Sequence, residues 1–240
     1  MSGLEFSIIA VAVIAASALQ ASIGFGMGML AAPVIGLIDP TLLPGTIIIL
    51  AVVITAIGAV RERAHLDLRG AGWALIGRVP GSLVGAWLVV VLPPGGLAWA
   101  VAVVVLAGVI ATFTGWAPVP GRLTLMTAGA ASGLMGTATS IGGAPMALIW
   151  QGSQGARLRG TMSAFFLVGS TISLVALSVL GTVSRSTLQL AAWMIPAVLL
   201  GYVLSRYANR LLDHRRLRLT ALTASAVGAL LLMAAQIFPQ

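Results

Sequence analysis

The chain has 240 residues, of which 59% are hydrophobic and only 8% charged, with a mean hydropathy of +1.09. Soluble domains carry about 25% charged residues, so a water-soluble core is excluded and a polytopic membrane protein is indicated. All the basic charge behind the net +8 is arginine and there is no cysteine; disulfides and thiolate metal sites are therefore excluded, and basic loops on one membrane face, rather than nucleic-acid binding, account for the charge.

The first apolar block, 4–38, has Glu5 at its start and no arginine before it. It therefore reads as a retained span and not as a cleaved signal peptide. It is also longer than the roughly 20 residues that a bilayer span needs, and Gly24, Gly26, Gly28, Pro33 and Gly36 interrupt it. Blocks 40–60, 71–91 and 97–113 follow. The fifth block, 123–151, is again overlong and is broken at the segment SIGGAP, residues 140–145. Blocks 162–181, 187–204 and 219–238 complete the chain.

The arginines decide how the two overlong blocks cross. If each block crosses once, the loop arginines divide five against seven, with no bias. If each broken block goes in and comes back, the loops at 61–70, 114–122, 151–161 and 205–218 share one side. That side then carries eleven arginines and the other only Arg185. Cytoplasmic loops carry such an excess, so the doubled-back reading is adopted, with the basic loops in the cytoplasm and both termini outside.

Each half then contains an odd number of crossings, and two such halves lie in opposite orientations. Their sequences echo one another. SIGFGMGMLAAP at 22–33 lies on SIGGAPMALIW at 140–150 with an offset of 118, through the shared Ser-Ile-Gly, and VPGSLVG at 79–85 lies on IPAVLLG at 195–201 with an offset of 116. The expected architecture is an all-α polytopic membrane protein of two inverted repeats, 1–113 and 123–240, joined by a cytoplasmic linker at 114–122. Each repeat has a broken or re-entrant helical hairpin plus three transmembrane helices. Paired broken segments in inverted repeats mark secondary transporters, whose substrate lies between the repeats.

Irregular backbone survives in hydrocarbon only where it is buried or lines a cavity. Half-helices that start after Gly26 and Gly143 present unpaired N–H groups and a partial positive charge, which suits an anion. The expected substrate-binding residues are Gln20, Ser22, Gly24, Phe25, Gly26 and Gly28 in the first motif. In the second they are Thr137, Thr139, Ser140, Gly142 and Gly143, with Pro33 and Pro145 as the structural breaks. Arg78, eight residues into its span, either pairs with an oxyanion or snorkels to the interface. Gly81 and Gly85 read as a small-residue packing seam, and Arg157 and Arg159 as topogenic charges beside the cytoplasmic vestibule.

The stretches GFGMGMLAAPVIG (24–36) and GLMGTATSIGGAPMALIWQG (133–152) resemble the paired motifs of the sulfite exporter TauE/SafE family, also called the toluenesulfonate uptake permease family. The resemblance covers the whole chain. It departs from the family at Ala144, where a third glycine is common. The resemblance implies a secondary carrier of the bacterial inner membrane, exporting or facilitating small sulfur-containing anions such as sulfite, sulfoacetate or related organosulfonates and carboxylates. An anion channel with a pore lined by Gly, Thr and Ser is the alternative. No enzyme class is indicated. Walker A is missing, both histidines fall in loops where no membrane serine could meet them, and Gly24-x-Gly26-x-Gly28 lacks the dinucleotide spacing. No cofactor or metal is expected. The partners are the small anion and the lipid bilayer, and the sequence leaves open whether the protein is a homodimer.

Overall fold

The computed structural model describes residues 1–113, 119–150 and 155–211, and single residues between 223 and 234. The described residues form nine helices and two short 3-10 turns. They are α1 (Gly3–Ile23), α2 (Met27–Ile38), α3 (Gly45–Arg61), α4 (Leu68–Val91), α5 (Pro94–Phe113), α6 (Arg122–Thr139), α7 (Gly143–Ile149), α8 (Gly155–Val179) and α9 (Arg185–Leu211). Among them α1, α4, α8 and α9 are each long and apolar enough to cross a bilayer. The chain is an all-α, multi-pass membrane protein. Most of the block at 219–238 and most of the 114–122 linker lie outside the described residues.

Local chemistry sets the helix ends. Ser2 and Glu5 form a capping box at the start of α1, which satisfies two otherwise orphaned N–H groups. The other end of α1 stops at Gly24, whose φ of 90° is left-handed, and Gly26 follows with φ 119°. A side chain at such angles is strained, and glycine is not. Asp67 caps α4, accepting the Gly70 N–H at 3.0 Å.

The first overlong block turns back on itself. Met1 and Phe6, at the start of α1, line one surface cavity with Asp39 and Leu42, which follow α2. Both arms of this hairpin pack into the largest apolar cluster, where Ile9, Val13 and Ala16 of α1 meet Met27, Ala31 and Ile35 of α2. The second block also breaks, between α6 and α7.

Contacts between distant loops bring the described Arg61, Arg122, Arg157 and Arg159 to one end, while Arg215, Arg216 and Arg218 lie outside the described residues. Glu62 pairs with Arg159 at 2.8 Å and Asp67 with Arg157 at 3.5 Å. Arg61 donates to the Tyr202 hydroxyl at 3.2 Å, and Arg122 lies over the Trp73 ring at 5.1 Å. Arg185 starts α9 at the opposite end, beside the start of α3, where Thr187 packs on Gly45.

Helix packing follows a pattern that exchanges the two halves. The contact of α4 with α6 has its counterpart in α9 with α1; α4 with α8 is matched by α9 with α3, and α3 lies on α8. Helix boundaries repeat in the same way. Ile23 and Thr139 end α1 and α6, and Met27 and Gly143 begin α2 and α7, each pair 116 residues apart. This corrects the 118-residue Ser-Ile-Gly alignment. Gly24 matches Ser140 as the left-handed residue that ends its helix, so Ser22 falls two residues too early to be the partner of Ser140. Local letters matched, but backbone conformation sets the register.

The α4–α6 seam is made of glycine. A Cβ at Gly77, Gly81 or Gly129 would overlap the backbone carbonyls of Met126, Ala130 and Ala74 respectively. Small residues let membrane helices approach this closely. Gly81→Val is expected to force the seam apart at about 1–3 kcal/mol. The check is a lowered thermal midpoint for the detergent-purified protein, with Gly72→Ala, which meets nothing within 4 Å, as the neutral control.

Candidate functional site

The two breaks meet at their tips. A Cβ on Gly28 would overlap the carbonyl of Ser140, and one on Gly143 would stand 3.1 Å from Phe25 Cβ. Between them lies a cavity of about 40 Å³, walled by the first motif (Gln20 and Phe25–Met29), the second (Ser140–Gly143) and Arg78. Ile47 and Ile48 of α3 and Phe166, Ser170 and Ser173 of α8 close its sides.

Eight of the twelve expected binding residues line this cavity, the exceptions being Ser22, Gly24, Thr137 and Thr139. Ser22 Oγ donates back to Ala18 O at 2.7 Å inside α1. Gly24 instead packs on α8, its Cβ position 3.1 Å from Met162 Cβ and 3.3 Å from Arg159 Cα. Thr137 Oγ1 shares a 2.6 Å bond with Ser173. Thr139 Oγ1 donates to Met135 O at 2.6 Å and accepts the Ile141 N–H at 3.3 Å, which braces the second break.

Ser140 does line the cavity, but its hydroxyl donates to Pro44 O at 3.0 Å. The hydroxyl protons expected from Ser22, Thr139 and Ser140 are thus all spent on backbone carbonyls. Ser140 also holds a left-handed φ of 64°, a conformation uncommon outside glycine.

The prolines do not make the breaks. Pro33 sits inside α2, and Pro145 is the third residue of α7, where the missing N–H costs no intrahelical bond. The chain reverses instead through Gly24, Gly26 and Ser140. Ala144, buried in the first turn of α7, is likewise outside the reversal.

Gln20 ties the first break together. Its Nε2 donates to Gly24 O at 3.2 Å, and its Oε1 accepts the Met27 N–H at 3.1 Å. One of the expected free donors of α2 is therefore occupied. The next two N–H groups, of Gly28 and Met29, have no protein acceptor among the described residues. Both residues line the cavity, at the positive end of the α2 dipole.

Arg78 does not snorkel. It is 2% exposed, and its Nη1 donates to Ser132 Oγ at 2.8 Å, while Ser132 donates to Gly142 O at 2.6 Å. The guanidinium lies 4.8 Å and 5.3 Å from the Phe165 and Phe166 ring centroids. Its Nε is buried without a partner, and none of the described carboxylates pairs with it. Gly169 makes the space, since a Cβ there would overlap the Arg78 side chain.

Ser132, Gly136 and Gly169 are site residues that the sequence reading did not assign. Ser132, Gly136 and Ser140 recur at four-residue steps, so helical spacing from Ser140 was a usable signal for the first two. Nothing local marks Gly169.

Discontinuous helices that meet at a buried site in a multi-pass membrane protein are a recurring arrangement in membrane transporters. The profile of the family described as "Sulfite exporter TauE/SafE" matches residues 8–232. The chain belongs to this family of membrane transporters. Comparison with curated proteins and with solved structures finds no match.

Proposed function

We propose that the chain is a secondary transporter, an exporter or facilitator, of small sulfur-containing anions, with sulfite the best-fitting and sulfoacetate, related organosulfonates or carboxylates as further substrates. The observation that carries this reading is Arg78: a buried guanidinium that lines the cavity between the two breaks and has no carboxylate partner among the described residues. A charge in the membrane interior is expensive unless it is paired, and an oxyanion supplies the pair. The unpaired N–H groups of Gly28 and Met29 add donors for its remaining oxygens. The motif after Gly143 contributes shape and not dipole, because α7 runs only from Gly143 to Ile149.

Size supports the smallest candidates. A pocket for a drug-sized ligand measures several hundred Å³, whereas this cavity of about 40 Å³ admits only a few atoms. The exchange symmetry of the packing and the 116-residue recurrence of helix ends support two inverted repeats, so that one hairpin tip gates each side. The arginine-rich end then faces the bacterial cytoplasm, and the inner membrane is the expected location. An inside-negative potential drives anions outward at about 2.3 kcal/mol per charge per 100 mV, so export requires no coupling ion.

Purified protein in liposomes loaded with sulfite is expected to show saturable efflux that rises with an imposed inside-negative potential. Single-channel currents in planar bilayers would show a channel and overturn the carrier reading. Flux that disappears only when a proton gradient is removed at fixed potential would overturn potential-driven export.

A further inference from the structure

A second cavity of about 40 Å³ lies toward the basic end, lined by Gln20, Gly58, Arg61, Glu62, Arg159, Ser163 and Tyr202 among others. Gln20 lines both this cavity and the first one. We propose that the second cavity is a separate anion-binding site, taking the same class of small oxyanion one step nearer the basic loops, with Glu62 as its built-in competitor. The ligand class rests on the transport reading above; the site itself rests on its own residues.

The site has more donors than the protein uses. Arg61 donates to the Tyr202 hydroxyl at 3.2 Å and makes no ion pair with any described carboxylate. Ser163 is 6% exposed, and its hydroxyl makes no hydrogen bond to a described residue. Gly58 stands opposite, where a Cβ would come within 2.5 Å of that hydroxyl oxygen. Arg159 is held by Glu62, but through one oxygen only: Oε1 accepts from Nη2 at 2.8 Å and from Nε at 3.3 Å. Two guanidinium groups face one carboxylate, so the cavity keeps a net positive charge. An oxyanion that bridges Arg61 and Ser163 and displaces Glu62 from Arg159 gives these three side chains a shared acceptor.

The position of this cluster links it to transport. Arg159 Cα lies 3.3 Å from the Cβ position of Gly24, the residue that ends α1 at the first break. An anion that takes Arg159 from Glu62 therefore acts on the backbone against which that break is packed. Gln20, which lines both cavities, is the side chain that this site shares with the cavity holding Arg78.

Isothermal titration of sulfite into detergent-purified full-length protein tests the proposal. Wild type is expected to bind two anions per chain. Arg61→Gln weakens one of them about tenfold, in line with the loss of a hydrogen bond to a charged group, and Arg61→Lys largely restores it. Glu62→Gln tightens the same site about threefold by removing the competitor, a gain that no folding defect imitates. Arg78→Gln removes the other site and leaves this one. A single site that is lost in Arg78→Gln and unmoved by Arg61→Gln and Glu62→Gln overturns the second site. Binding kept in Arg78→Gln but lost in Arg61→Gln overturns the central site and upholds this one. No binding in any form overturns both.

Discussion

Arg78→Met is expected to abolish sulfite efflux while leaving the protein as stable as wild type or more so. The two effects point in opposite directions because Arg78 is buried with only part of its hydrogen-bonding capacity used. Replacing a buried charge by an apolar side chain of similar size is often neutral or stabilising by about 1–4 kcal/mol. The anion, in contrast, loses its only fixed countercharge among the residues around the central cavity. Breaking a buried ion pair costs about 3–5 kcal/mol, which corresponds to at least a hundredfold in affinity. Arg78→Lys keeps the charge but not the planar fork, so it is expected to fall between the two in efflux. Thermal midpoints measured beside efflux separate the readings. A large loss of stability in Arg78→Met, with efflux falling only in proportion to folded protein, would make the arginine a brace for the second break through Ser132 and not a substrate ligand.

Gly28→Ala is expected to separate the two hairpin tips. The new methyl group would overlap the carbonyl of Ser140, which is backbone and cannot rotate away as a side chain would. Overpacking costs about 1–3 kcal/mol. The larger effect is on transport, because the displaced residues are those that position the Gly28 and Met29 N–H groups. Efflux is expected to fall more than tenfold, in line with the cost of misplacing groups by an ångström. Gly72→Ala in α4, in open surroundings, is expected to transport normally. Equal, near-normal efflux in both variants would show that the tips need not touch.

Much of this architecture was legible before any coordinates. Composition showed a membrane protein because transfer of apolar side chains into lipid is a property of each residue and adds along the chain. The two breaks were legible because left-handed backbone is a local demand, and Gly24 and Gly26 meet it. Ser140 concealed its own part: a serine at positive φ has no local signature, so the Ser-Ile-Gly match set the register two residues off. The arginine count agrees with the meeting of the 61–70 and 151–161 loops through Glu62–Arg159 and Asp67–Arg157, since that count reflects the membrane face and not any particular contact.

The hydroxyls were misread for a related reason. Ser22, Thr139 and Ser140 were legible as polar groups beside a break, yet each spends its proton on a carbonyl, one of them in the distant Pro44. In hydrocarbon a free carbonyl is costly, so nearby hydroxyls satisfy the backbone before any ligand.

By itself the sequence determined that the chain enters a membrane and that its helices break at two places. These follow from solvation and from φ, which depend on the residue and its immediate neighbours. Only the tertiary structure decided that Arg78 stays buried, that Gly169 makes room for it, and that Glu62 holds one of the two arginines of the second cavity. Those outcomes depend on which distant groups compete for the same donor, and sequence spacing carries no record of that competition.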